Sequence, residues 1–139
     1  MREDAISKII TQIKHTIISE NFKIELLYRK LRHREKELLE KVVDAKMRKD
    51  NVRALMYAKE LAMVRRVLRR ISRIQLIFER ALIRLETIEI FGSYKYKIVP
   101  LNSLISDLKL EFKDILPKFT LKLDDIEKRI RELQAKLNS

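Results

Sequence analysis

From Asp4 to Phe91 the chain contains neither glycine nor proline, the two residues that most readily end a helix. Inside that run the apolar residues recur every seven positions, in two registers. Ile10, Ile17, Ile24, Leu31, Leu38 and Ala45 form the first, with Ile6, Ile13 and Leu27 as a flanking row. Tyr57, Val64, Ile71, Phe78 and Leu85 form the second, flanked by Leu61, Leu68 and Leu82 on one side and by Val67, Ile74, Ala81 and Ile88 on the other. A seven-residue repeat keeps one stripe of a helix apolar, so the pattern predicts two long helices, each with one apolar seam. The registers fall out of phase across Met47, Arg48, Lys49, Asp50 and Asn51, which predicts that the chain turns back on itself there.

Punctuation begins after Phe91. Gly92 is expected to end the second helix, and residues 93–99 alternate in polarity instead of keeping a helical period, so they read as an extended linker. Pro100 suits the start of a third helix, with Leu101, Leu104, Ile105, Leu108, Phe112 and Ile115 on one face, and Pro117 closes it. Thr120 then precedes a fourth amphipathic stretch through Leu123, Ile126, Ile130, Leu133 and Leu137. The predicted architecture is a single all-α domain: a long antiparallel hairpin over 1–91, a linker over 92–99 and two shorter helices over 100–137. At ~1.5 Å per residue each hairpin arm would run roughly 60 Å, more than two short helices can cover.

The second helix carries three adjacent apolar rows where a two-helix contact uses two. Its seam residues Val64, Leu68, Ile71, Ile74, Phe78, Leu82 and Leu85 are therefore expected to serve both the hairpin and contact with further copies. Ordinary bundle packing accounts for part of this width. A heterologous contact repeated between identical subunits generates an open filament.

Charge narrows the candidates. The chain has 32 basic and 20 acidic residues, a formal +12, and 37% of its residues are charged against roughly 25% in an average soluble protein. The excess concentrates in the second helix, where Arg65, Arg66, Arg69, Arg70 and Arg73 fall together with no acid between Glu60 and Glu79. Arg66, Arg73 and Arg80 make one stripe opposite the seam, with Arg70 and Arg84 beside it, and Glu79 and Glu86 lie on a flanking stripe. A solvated helix face is the ordinary reading of a charge run. Segregation of sign along the helix adds a second reading, a surface for anionic partners.

Catalytic chemistry finds little foothold. His15 and His33 are five helical turns apart, ~27 Å along the axis, and cannot share a metal ion. With one glycine in the chain there is no phosphate-cradling loop and no nucleophile elbow, and no Glu-x-x-His pair occurs. No enzyme activity, cofactor, metal or small-molecule substrate is expected. The acid pairs Glu3-Asp4 and Asp124-Asp125 are expected in helix N-terminal turns. Without cysteine there is no disulfide framework or thiolate site. Residues 1–20 lack the apolar block of a secretory signal, and no run approaches the ~20 apolar residues a spanning helix requires.

The runs Glu37-Leu38-Leu39-Glu40-Lys41-Val42-Val43-Asp44-Ala45, Arg53-Ala54-Leu55-Met56-Tyr57-Ala58-Lys59-Glu60-Leu61-Ala62 and Ile83-Arg84-Leu85-Glu86-Thr87-Ile88 resemble the core of archaeal ESCRT-III proteins of the CdvB type. The likeness continues through Gly92 and Pro100 to Leu116-Pro117. It implies a helical hairpin with two smaller helices, closed and extended states related by a hinge at Gly92, and polymerisation with itself or with paralogues into membrane-associated filaments. It further implies a cytoplasmic protein, peripheral on the inner face of the cell membrane, that constricts or severs membrane necks in cell division. Longer members add a region that binds an AAA ATPase, and some add a winged-helix piece; this sequence stops at Ser139 with neither. Ile126, Arg129, Ile130 and Leu133 are similar to part of the helical ATPase-binding motif, but its acid and its terminal basic residue fall on Leu123 and Gln134.

Residue chemistry and resemblance together give an expectation of mechanism. Arg65, Arg66, Arg69, Arg70, Arg73, Arg80 and Arg84 contact an anionic membrane surface while the seams hold neighbouring subunits. A Lys or Arg near such a surface contributes ~1 kcal/mol, weak and salt-sensitive for one subunit but multiplied along a filament. The N-terminal stretch with Ile6, Ile9, Ile10 and Ile13 could insert shallowly in an interface, or simply begin the first helix. Two alternatives remain, a basic helical nucleic-acid-binding protein and a coiled-coil scaffold whose charge serves solubility. The arginine face carries no aromatic side chain for base stacking, which counts against the first.

Overall fold

The structure, a computed structural model, describes residues 2–91, 106–107, 109–111 and 120–138. Helix α1 runs over Arg2–Met47 (46 residues) and α2 over Asn51–Phe91 (41 residues). A short helix, α3, is described at residues 106–107 and 109–111, and α4 spans Thr120–Asn138 (19 residues). No strand occurs among the described residues, and the fold is all-α as expected. Gly92, the 93–99 linker and both prolines lie outside the described residues, as does the whole proposed apolar face of the third helix, Leu101, Leu104, Ile105, Leu108, Phe112 and Ile115.

The reversal between α1 and α2 falls where the two heptad registers lose phase. Its geometry is that of a Schellman motif: the Asp50 amide donates to the Ala45 carbonyl (2.8 Å) and the Lys49 amide to the Lys46 carbonyl (3.1 Å). Lys49 is the left-handed residue the motif requires, at φ 61°. Asp50 then starts α2. Its carboxylate accepts a hydrogen bond from the Arg53 amide (3.1 Å) and its carbonyl one from the Ala54 amide (3.0 Å), so it is the N-cap. The Arg53 guanidinium closes onto the same carboxylate at 2.8 Å. These two contacts hold the Asp50 carboxyl below, and the Arg53 guanidinium above, its ordinary pKa.

The chain divides into two compact units. Residues 23–73, the C-terminal half of α1, the turn and the N-terminal half of α2, make one. Among the described residues of this unit, only α1 and α2 pack. Ile24, Leu38 and Ala45 of α1 and Ala54, Leu61, Leu68 and Ile71 of α2 are its buried apolar residues. The Lys41 ammonium lies over the Tyr57 ring at 5.5 Å, and Glu35 joins Arg65 at 3.1 Å, so α1 and α2 run antiparallel across this unit.

Residues 1–22 and 74–139 make the other unit, and a third long element enters it. Ile6, Ile10, Ile13 and Ile17 of α1, Ile74, Phe78, Ala81, Leu85 and Ile88 of α2, and Leu123, Ile126, Ile130, Leu133 and Leu137 of α4 are all buried. Burying one such side chain contributes roughly 1.5–3 kcal/mol. The third apolar row of α2, with Ile74, Ala81 and Ile88, is thus consumed where α4 is present. Arg129 of α4 donates to Gln12 of α1 (2.6 Å) and to Asp125 (3.2 Å), and Lys14 pairs with Glu89 at 3.5 Å. Lys109 of α3 pairs with Asp124 (2.7 Å) and with Glu127 of α4.

One expectation is corrected here. Asp124 and Asp125 lie beyond the first turn of α4, which contains no acid. They serve instead as ion-pair partners of Lys109 and Arg129. The hydrogen bonds of Lys109 to Asp124 and Glu127 raise its pKa, and the one to Glu127 lowers the pKa of that carboxyl. Among the seam positions, Glu20 stands between Ile17 and Ile24 and is buried, with a polar partner although its Oε2 accepts no hydrogen bond.

Candidate functional site

All seven expected membrane-contact arginines lie on α2, within an arc of roughly 140° at 100° per residue. Arg65, Arg66, Arg69, Arg70 and Arg73 belong to the 23–73 unit; Arg80 and Arg84 are on the same helix but in the other unit. Burial sorts them further. Arg65, Arg66, Arg69, Arg73 and Arg80 are exposed, whereas Arg70 and Arg84 are half-buried.

Their pairing differs from a wholly uncompensated stripe. The Nε of Arg65 donates to Glu35 of α1 at 3.1 Å, and Arg70, Arg73 and Arg84 each have an interaction partner. Arg66, Arg69 and Arg80 have no ion-pair partner among the described residues. A sequence read one helix at a time places Glu79 and Glu86 correctly off the stripe, but it cannot see a carboxylate supplied by the opposite arm. The same blindness hid the contribution of α1: Arg32, whose guanidinium pairs with Glu35 at 2.9 Å, stands beside Arg65 and Arg69 and enlarges the basic surface of this unit. Its spacing from Tyr28 and Glu35, four and three residues, was the available signal.

Of the expected seam residues, Leu68, Ile71, Ile74, Phe78 and Leu85 are buried and Val64 and Leu82 half-buried, all within the fold of one chain. Apolar surface remains on other rows. In the unit with α4, Leu76, Ile83 and Ile90 form an exposed row at seven-residue spacing on α2, and Ile18 and Phe22 are exposed on α1. In the 23–73 unit the exposed set is Leu26, Leu39, Val43, Met47, Val52, Leu55, Met56 and Met63. Single exposed apolar residues are common on soluble proteins, but rows at helical spacing suit a packing partner.

The remaining candidates are placed plainly. His15 and His33 are both exposed, and His33 Nε2 meets Glu37 at 2.8 Å. Among the described residues no group of three His, Asp or Glu side chains could hold a metal ion. None of the described helices is long and apolar enough to cross a membrane. Ile126, Ile130 and Leu133, the apolar part of the ATPase-motif likeness, are buried, and Arg129 is engaged by Gln12 and Asp125.

Among the known proteins similar to this chain are two division proteins. Cell division protein B1 of Sulfolobus acidocaldarius is 28% identical over 131 residues, covering 94% of this chain and 61% of that protein. Cell division protein B of the same organism is 27% identical over 132 residues, covering 95% of this chain and 51% of that protein. The chain thus spans between half and two thirds of the length of these relatives. No family model matches the chain, and no solved structure matches it. Nearly its whole length aligns with both division proteins, which accords with the resemblance of its heptad and hairpin residues to CdvB-type proteins.

Proposed function

We propose that this protein is a non-enzymatic subunit of a filament that assembles on anionic membrane at the division site and constricts or severs the membrane neck. The observation that carries the reading is the arginine arc of α2, with Arg66, Arg73 and Arg80 exposed on one stripe of a chain related to two proteins named for cell division. Its place would be the cytoplasmic, inner face of the membrane, held peripherally by charge. Exposed rows such as Leu76, Ile83 and Ile90 support contacts with further copies or paralogues, because a partner helix would bury them. Opening at Gly92 belongs to the same proposal. Recruitment of an ATPase stays outside it, since Ile126, Ile130 and Leu133 are already packed.

Vesicle sedimentation tests the membrane step. Reversing Arg66, Arg73 and Arg80 to Glu is expected to cut binding to anionic vesicles at least tenfold at low salt, at ~1 kcal/mol per charge, with helix content retained. Neutral vesicles should bind neither form. Undiminished binding by the triple variant would remove this face from the mechanism. Duplex DNA run in parallel at two salt concentrations separates the nucleic-acid alternative, for which DNA would outcompete vesicles. Negative-stain images should show filaments on anionic membrane that are lost in an Ile83→Ser, Ile90→Ser variant.

A further inference from the structure

Within the 23–73 unit, Tyr28, Arg32 and Glu35 of α1 face Arg65, Arg69 and Ser72 of α2 across an open depression of about 230 Å³ that Leu68 also lines. On each helix these residues recur at three- and four-residue spacing, so each set lines a single face. Glu35 is the best-buried ionic group of the cluster, with 17% of its side chain exposed, and binds two guanidiniums at once: Arg32 Nη1 at 2.9 Å and Arg65 Nε at 3.1 Å. An interhelical staple would account for that much. It leaves Arg69 unexplained, since Arg69 lines the same depression and has no ion-pair partner among the described residues.

The charge balance points to a ligand. Three guanidiniums meet one carboxylate, so the lining keeps two uncompensated positive charges. Each guanidinium offers up to five N–H donors in a planar fork, of which the Glu35 contacts use one apiece on Arg32 and Arg65. Such forks match phosphate oxygens in pairs. Ser72 and Tyr28 add two hydroxyls. Glu35 acts as a fixed post that holds two arginines in place before any ligand arrives, which lowers the ordering cost of binding.

We propose that this depression is a binding site for a phosphate monoester or pyrophosphate group, held by Arg32, Arg65 and Arg69. The inference deepens the membrane reading, and rests on it where the phosphate belongs to a lipid headgroup; a free phosphate compound presents the same chemistry.

The test titrates inorganic pyrophosphate into the full chain, followed by calorimetry and by amide shifts. Saturable one-to-one binding is expected, weakened at least tenfold by Arg69→Gln and by Ser72→Glu, which brings a carboxylate into the depression. Lys59→Gln removes one positive charge from an exposed residue of α2 outside the depression and should change affinity less than twofold. Equal losses in Lys59→Gln and Arg69→Gln, or binding that never saturates, would overturn the site in favour of diffuse attraction. Circular dichroism checks that these exposed substitutions leave the helices intact. Vesicles containing phosphatidylinositol 4-phosphate, compared with phosphatidylserine vesicles of equal charge, identify the source. A preference for the monoester that Arg69→Gln abolishes assigns a lipid headgroup. Saturable pyrophosphate binding without that preference assigns a free phosphate. Failure of the membrane reading would be seen separately, as undiminished vesicle binding by the Arg66, Arg73, Arg80 reversal.

Discussion

Lys49 pays a steric cost that a glycine at the same position would avoid. Its φ of 61° puts a Cβ in the left-handed region, and the Schellman hydrogen bonds of Asp50 and Lys49 hold it there. Lys49→Gly is expected to stabilise the chain by about 0.5–1 kcal/mol in chemical denaturation, the relief outweighing the added freedom of the unfolded chain. Asp50 does two jobs, ending α1 with its amide and capping α2 with its carboxylate. Asp50→Ala should lower the thermal midpoint at neutral pH. Because the folded Asp50 carboxyl titrates below 3.8, its contribution is present above that pH and is lost as pH falls through the lower folded value. The gap between wild type and Asp50→Ala should therefore close under strongly acidic conditions, as read by melts across a pH series. The position of this turn was legible in the sequence, because two seven-residue registers cannot change phase without a break. The identity of its left-handed residue was not. Glycine or asparagine is the usual marker, and Asn51 stands two residues too late, inside α2.

At the level of elements, α4 is the helix whose role the sequence left most open. Its apolar row was plain from spacing, and Leu123, Ile126, Ile130, Leu133 and Leu137 are indeed all buried. What that row covers was not readable, because periodicity specifies a face and never its partner. The answer explains the width of α2: three rows were one too many for a hairpin, and the unit containing α4 uses the third. Ile130→Ala is expected to cost about 2–5 kcal/mol. Hydrogen exchange should then accelerate in α4 and in residues 6–17 of α1, with residues 23–73 little changed; a uniform increase would show that the two units open as one. The Lys109 pairing with Asp124 and Glu127 predicts a further signature. Its ammonium is held above the ordinary 10.5, so its contribution persists below that pH and disappears as pH climbs through the raised value.

For the molecule as a whole, the sequence revealed a basic, all-helical chain, which the structure bears out among the described residues, and the two division-protein relatives accord with its CdvB-type resemblance. The division into two units had no sequence marker, since both boundaries fall inside uninterrupted helices, at residues 22–23 and 73–74. The candidate site was half legible. The seven candidate arginines of α2 could each be placed on one face from their own helix, whereas Arg32, Glu35 and their meeting with Arg65 and Arg69 needed the register between the arms. The unit boundaries also set an order of events during folding. Contacts in residues 23–73 begin at the Asp50 turn and can be added outward in small steps, each closing a short loop. The other unit joins segments separated by about fifty residues, a costly closure unless the intervening arms are already zipped. Pulsed hydrogen exchange during refolding should accordingly protect amides of 23–73 before those of residues 6–17. On the ribosome the delay is longer still: Ile6, Ile10, Ile13 and Ile17 are made well before Phe78, Leu85 and Ile130, which are buried in the same unit. Until those later residues are made, the isoleucine face of α1 has nothing from α2 or α4 to cover it, so it is the newborn polypeptide, more than the folded one, that chaperones must shield.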